Sequence, residues 1–244
     1  MPTTIKRINT WSSPRNVSTA LMYAFAQRQD TQVFDEPLYA HYLSSSSSRV
    51  LHPGADEILA SQEQNGEKVV QQTLLGPCTQ PIAFFKQMAH HLIGLDESFL
   101  LEMENVLLIR APRAIIHSYT KVIPNPSIED IGVKKMHALY QFLSENDKLA
   151  AVVDSRELLA NPPSVLRQLC QRLSIPFDEN MLKWKPAPRP EDGIWARYWY
   201  SRVHQSSGFE PYREPSFELP ARLEALAEEC LPYYEKLFEA SIKA

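Results

Sequence analysis

Between Asn9 and Met22 a short apolar run passes through a tight polar turn straight into a helix face, and the turn contains no glycine. Ile5, Ile8 and Trp11 lead in. Val17, Ala20, Leu21, Ala24 and Phe25 then repeat at the i, i+3, i+4, i+7, i+8 spacing of a buried helical stripe. Strand, polar turn and helix start together make a site suited to a phosphate group, because free backbone amides and the positive end of the helix dipole converge there. Arg15 adds a fixed charge, and Ser18 and Thr19 add hydroxyls. The same residues also suit an ordinary capped helix start with Arg15 facing solvent. The turn departs from the G-x-x-x-x-G-K-[ST] phosphate loop, having neither its glycines nor its lysine.

The rest of the chain continues the alternation. Strands are predicted at Lys6–Trp11, Gln32–Asp35, Ile82–Lys86, Asn105–Arg110 and Ala150–Asp154. The unbroken apolar runs Val106–Ile109 and Ala150–Val153 suit strands covered on both faces. Helices are predicted from Pro112 through Ile123, from Ile128 to Lys148, after Asn161-Pro-Pro, and over Leu223–Phe238 with a bend at Pro232. The fold class is therefore α/β: a three-layer, phosphate-loop-like arrangement with a parallel sheet of about five strands between helices. No linker divides the chain, so one domain is expected over residues 1–244. Two stretches break the alternation. Five consecutive serines, Ser44–Ser48, open a stretch near 44–66 expected to be a mobile loop. Residues 184–213 hold three of the four tryptophans and form an aromatic-rich flap.

A net charge of −4 gives no reason to expect a nucleic-acid surface. No run is long and apolar enough for a membrane span, and the N-terminus lacks a signal-peptide pattern. Cys78, Cys170 and Cys230 have neither metal-ligand spacing nor an even count, so they read as reduced thiols in a cytoplasmic protein.

In an open parallel sheet, ligands bind beyond the carboxyl ends of the strands. There the sequence places Arg15, Asp35 and Glu36, Lys86 with His90 and His91, Arg110 with Arg113 and Ser118, and Asp154 with Arg156. Several cations at one edge of an acidic chain suggest a ligand with several negative charges.

Three segments, in order, resemble the sulfotransferase family that uses 3′-phosphoadenosine-5′-phosphosulfate (PAPS). Ser12-Ser-Pro-Arg-Asn-Val-Ser-Thr19 is similar to the family's 5′-phosphosulfate loop, x-x-P-[KR]-S-G-[ST]-[ST]. Arg110, followed by Ser118, is similar to its 3′-phosphate segment. Val153-Asp-Ser-Arg-Glu-Leu158, then Asn161-Pro-Pro and Leu173-Ser-Ile-Pro-Phe177, is similar to its "YE-x-L … dP … L-G-I-P" region. The family's Ser-Gly pair is Asn16-Val17 here. Its arginyl-lysyl-glycine motif is absent, and residues 195–209 stand in as the replacement.

The resemblance implies transfer of a sulfuryl group from PAPS, as co-substrate, to a hydroxyl or amine of a small-molecule acceptor, with no metal required. It assigns Pro14, Arg15, Asn16, Val17, Ser18 and Thr19 to the phosphosulfate and Arg110 and Ser118 to the 3′-phosphate. Lys86 would stabilise the sulfuryl oxygens. Glu36 is the first choice of general base, with His90 and His91 behind it. A strand-end lysine is not core, so Lys86→Ala is expected to abolish transfer and spare the fold. A non-catalytic nucleotide-binding relative is the alternative reading, and a phosphotransferase a further one. Neither nucleic acid nor membrane is an expected partner, and the sequence sets no oligomeric state.

Overall fold

The structure, a computed structural model, describes residues 5–46, 52–213 and 216–244. It runs β1 (Lys6–Ser12), α1 (Ser18–Phe25), β2 (Thr31–Asp35), α2 (Tyr39–Ser45), α3 (Ala55–Ser61) and α4 (Gly66–Val69), the last continuing into one π-helical turn. Next come β3 (Ile82–Met88), β4 (Glu104–Ile109), α5 (Pro112–Tyr119), α6 (Ile128–Ile131), α7 (Val133–Glu145) and β5 (Leu149–Asp154). The chain closes with α8 (Ser155–Ala160), α9 (Pro162–Arg172), α10 (Ala196–Trp199), α11 (Ala221–Glu239) and β6 (Ser241–Ile242).

The six strands form one sheet in the order β2-β3-β1-β4-β5-β6, and every pairing is parallel. Alternating side chains send Ile8, Phe84, Val106 and Val153 to a core shared with α1 and α9. They send Trp11, Phe85, Leu107 and Val152 to a second core shared with α7 and α11. Burial on both faces accounts for the unbroken apolar runs in β4 and β5.

The pairing also aligns the strand ends. Ser12 lies beside Met88, Asp35 beside Lys86, and Ile109 beside Asp154. The residues that follow these positions therefore meet along one edge.

Several expectations need correction. The sheet has a sixth strand; β6 is two residues long, too short to leave a periodic signal. The helix expected over Ile128–Lys148 is divided by Gly132, whose φ of 74° ends α6 and starts α7. Helix α5 stops at Tyr119, and Ile123 packs beyond it. The 44–66 stretch is not a loop throughout: Ser44 and Ser45 end α2, and α3 buries Ile58 and Leu59. Ser47 and Ser48 lie outside the described residues. The helix predicted over Leu223–Phe238 is present as α11, with Pro232 inside it.

Candidate functional site

The turn after β1 takes its shape from Arg15, whose φ of 56° is left-handed. Asn16 pins it, donating from Nδ2 to the Leu108 carbonyl of β4 (2.9 Å) and accepting at Oδ1 from the Val17 amide (2.8 Å). Val17 has φ −88° and ψ 24°, which is not a glycine-only conformation. Valine in place of the family's glycine therefore costs the backbone nothing at this position. No side chain caps α1, so its leading amides keep their donors for another partner.

Arg110, one residue past β4, donates from its guanidinium to the Arg15 carbonyl. Arg15 Nε donates to Ser118 Oγ on α5 at 3.0 Å, and its guanidinium sits 5.5 Å from the centroid of the Trp199 ring. Among the described residues neither arginine is in an ion pair with a carboxylate. Burial lowers the pKa of both, and for Arg110 the adjacent charge of Arg15 lowers it further. Two adjacent, half-buried guanidiniums that make no ion pair among the described residues have donors suited to a multiply charged anion.

Lys86, at the end of β3, is only 1% exposed. Its ammonium donates to Asp35 Oδ1 at 2.8 Å, to Glu36 Oε1 and to the Tyr200 hydroxyl. Three acceptors satisfy all three ammonium hydrogens. Tyr200 in turn donates to Asp35 (2.8 Å to Oδ2) and accepts from Trp195 Nε1 at 3.1 Å, while the Gly193 amide donates to Asp35 Oδ2 at 3.0 Å. Burial opposes the charge on Lys86, yet Asp35 and Glu36 outweigh it and its pKa is raised. Burial, against the pull of Lys86, also raises the pKa of Glu36, and the charge of Asp35 adds to the rise. Glu36 holds a φ of 42°, a strained value for a non-glycine residue beside a functional group. The expectation that Lys86 lies outside the core is therefore corrected: it is the centre of a buried ionic cluster.

Pro14, Arg15, Asn16, Val17, Ser18, Thr19, Glu36, Lys86, His90, His91, Arg110 and Ser118, and with them Asp154 and Arg156, line one cavity of about 620 Å³. Strand order distributes them along it. Glu36 follows β2, Lys86 lies near the carboxyl end of β3 and the histidines follow it, Arg110 and Ser118 follow β4, and the Arg15 turn lies between. Asp35 and Arg113, also expected at this edge, are not part of the cavity lining: Asp35 is bonded to Lys86, and Arg113 pairs with Glu224. The ends of β3 and β4 are two strand spacings apart, roughly 10 Å. His91 is stacked between Tyr39 and Tyr42, with both centroids at 4.8 Å. Burial lowers the pKa of His90 to about 3 and that of His91 well below the ordinary histidine value, so both are neutral near pH 7.

Other residues in and around the cavity gave less away. Asp35 and the aromatic segment are visible in the sequence as a strand end and a flap, but nothing there pairs Tyr200 with Lys86 across 114 positions. Tyr39 and His52, bonded at 2.7 Å (Tyr39 hydroxyl to His52 Nδ1), carry no sequence signal. The flap packs over the cavity and lines it with Trp195, Trp199, Tyr200 and Arg202. Among the described residues no group of three or more His, Cys, Asp or Glu side chains is placed to hold a metal ion, and no helix is long and apolar enough to cross a membrane.

The sulfotransferase domain family matches residues 6–240. The chain belongs to that family. In fold this sulfotransferase-domain chain is similar to a sulfotransferase from Alicyclobacillus acidocaldarius (TM-score 0.57, 11% identity, 97% of each chain). It is also similar to the sulfotransferase domain of the Synechococcus PCC 7002 olefin synthase (TM-score 0.53, 18% identity, 94% of this chain and 95% of that one). In sequence it is 40% and 41% identical, over 94% of its length, to branched-chain-amino-acid aminotransferase-like proteins 2 and 1 of Arabidopsis thaliana. It spans 41% of the length of each.

Proposed function

We propose that the chain transfers a sulfuryl group from PAPS to the hydroxyl or amine of a small acceptor. One observation carries the reading: Arg15, Arg110 and Ser118, joined to one another beside the uncapped start of α1, share a cavity with the buried Lys86–Glu36 pair. The first group suits a ligand with charge at two places. The second offers a proton acceptor and a cation about 10 Å away along the sheet edge.

In this reading Arg15 and the turn from Asn16 to Thr19 hold the 5′-phosphosulfate, and Arg110 and Ser118 hold the 3′-phosphate. The acceptor oxygen forms a bond to sulfur while the bond from sulfur to the phosphate oxygen breaks, leaving its electron pair on the phosphate. The acceptor's proton goes to Glu36, whose raised pKa suits it to receive one. Positioning and charge stabilisation supply the rate, as in phosphoryl transfer. Each well-placed donor on the developing charge is worth about 3 kcal/mol. The aminotransferase-like name belongs to proteins more than twice as long, and no observation in the site favours that chemistry.

Thermal unfolding with 3′,5′-bisphosphoadenosine, set against ATP with Mg²⁺, tests the proposal. At about 100 times Kd the bisphosphate adds roughly 2.7 kcal/mol of stability. A response to ATP with Mg²⁺ alone points to phosphotransfer. A response to neither removes the nucleotide reading.

A further inference from the structure

Lys86 has no spare hydrogen to offer a substrate. A lysine that is to meet the sulfuryl oxygens needs a free N–H, and here all three have acceptors: Asp35, Glu36 and Tyr200. Two of those acceptors keep their strength during the reaction. Asp35 is fixed by the Gly193 amide and the Tyr200 hydroxyl. Tyr200 is fixed by Trp195 Nε1 on one side and Asp35 on the other. Only Glu36 changes, because a carboxylate that takes a proton becomes a weak acceptor.

We infer that Asp35 and Tyr200 are positioning residues that hold Lys86 by two of its hydrogens, so that the third is released toward the sulfuryl oxygens at the moment Glu36 takes the acceptor's proton. The inference rests on the sulfuryl-transfer reading and deepens it. The donor meets a saturated, buried ammonium in the ground state and a free N–H only as charge develops, which is the condition for raising turnover without tightening substrate binding. It also gives the aromatic flap a role. Gly193, Trp195 and Tyr200 all belong to it, and all three bond into the cluster. Seating of the flap over the cavity and orientation of the lysine are therefore one event.

The test uses Tyr200→Phe, which keeps the ring and removes the hydroxyl, and Asp35→Asn, which keeps the shape and removes the charge. Calorimetry with 3′,5′-bisphosphoadenosine should give a Kd within about twofold of the parent for both. Turnover of PAPS, assayed with 2-naphthol and with N-acetylglucosamine as trial acceptors, should fall about tenfold or more in kcat with KM for PAPS unchanged. The acid limb of the pH profile should move to lower pH in Asp35→Asn, because the charge of Asp35 helps to raise the pKa of Glu36, and should stay in place in Tyr200→Phe. Parallel losses in Kd, KM and kcat would reduce both residues to packing, and an unchanged kcat would overturn the inference.

A second measurement does not depend on turnover. Reductive methylation with formaldehyde and cyanoborohydride, read by mass spectrometry, should leave Lys86 unmodified in the parent and label it in both variants under conditions where each remains folded. Labelling without PAPS turnover by the parent would defeat the transferase reading alone. Equal protection of Lys86 in all three proteins would defeat the positioning role.

Discussion

Arg110 donates from its guanidinium to the backbone carbonyl of Arg15, tying the residue after β4 to the turn after β1 across 95 positions of sequence. The bond holds a left-handed arginine in place and keeps two positive groups together. That arrangement is costly in isolation and becomes favourable when an anion lies against it. In the sulfuryl-transfer reading, this organisation in advance of the nucleotide limits the ordering cost of binding.

Arg110→Ala should therefore weaken binding of 3′,5′-bisphosphoadenosine by about 10- to 100-fold, the range for one lost charge-assisted hydrogen bond. Isothermal titration calorimetry measures it. An affinity within twofold of the parent would place the anion elsewhere.

Lys86→Ala should cost stability as well as activity. Asp35 and Glu36 lose their shared counter-ion while remaining buried, a change worth about 3–5 kcal/mol. Urea denaturation should show a clear fall in midpoint, and adding Asp35→Asn and Glu36→Gln to Lys86→Ala should recover part of it. A single variant as stable as the parent would contradict the buried cluster.

Acid should destabilise the fold over a defined window. Burial lowers the pKa of His52 to about 4, of His90 to about 3, and of His91 well below the ordinary value. Depressed native pKa values mean that the unfolded chain takes up protons first. Stability is thus complete above about pH 6.5 and lost as pH falls toward the native values. Each histidine contributes a slope of about 1.4 kcal/mol per pH unit within that window. Denaturant midpoints at pH 7.5, 6.0 and 5.0 give the slope, and a flat profile would show these rings protonating freely.

Val17→Gly restores the family's glycine and should bring no gain in nucleotide binding. Position 17 already has a backbone conformation open to any residue. The exchange removes a side chain packed against the core and adds unfolded-state freedom, a loss of about 0.5–1 kcal/mol or more. Thermal unfolding with and without 3′,5′-bisphosphoadenosine separates the two effects. Tighter binding in the variant would show that the valine obstructs the backbone.

Much of the fold is legible in the chain. The runs at β4 and β5 read as doubly covered strands because no polar residue interrupts them, and Asn161 followed by two prolines marks the start of α9. The helix predicted over Ile128–Lys148 misses its break because its apolar spacing continues past Gly132, where only the φ of 74° reveals the stop. At the site, the residues after β1, β3 and β4 could be named because polar groups at strand ends stand out against apolar strands. Their states could not. Lys86 reads as a strand-end lysine outside the core until Tyr200, 114 positions away, is seen bonded to it.

The amino-acid order alone settles which side chains can reach the carboxyl edge of the sheet, since that depends on local periodicity and on the polar residues that end each strand. It does not settle their charge, burial or bonding, because those depend on contacts between segments far apart in the chain. The folded arrangement makes Asp35, Glu36, Lys86 and Tyr200 one buried unit and sets Arg110 against Arg15. Electrostatic energy depends on distance and on the exclusion of water, and both are properties of the packed molecule.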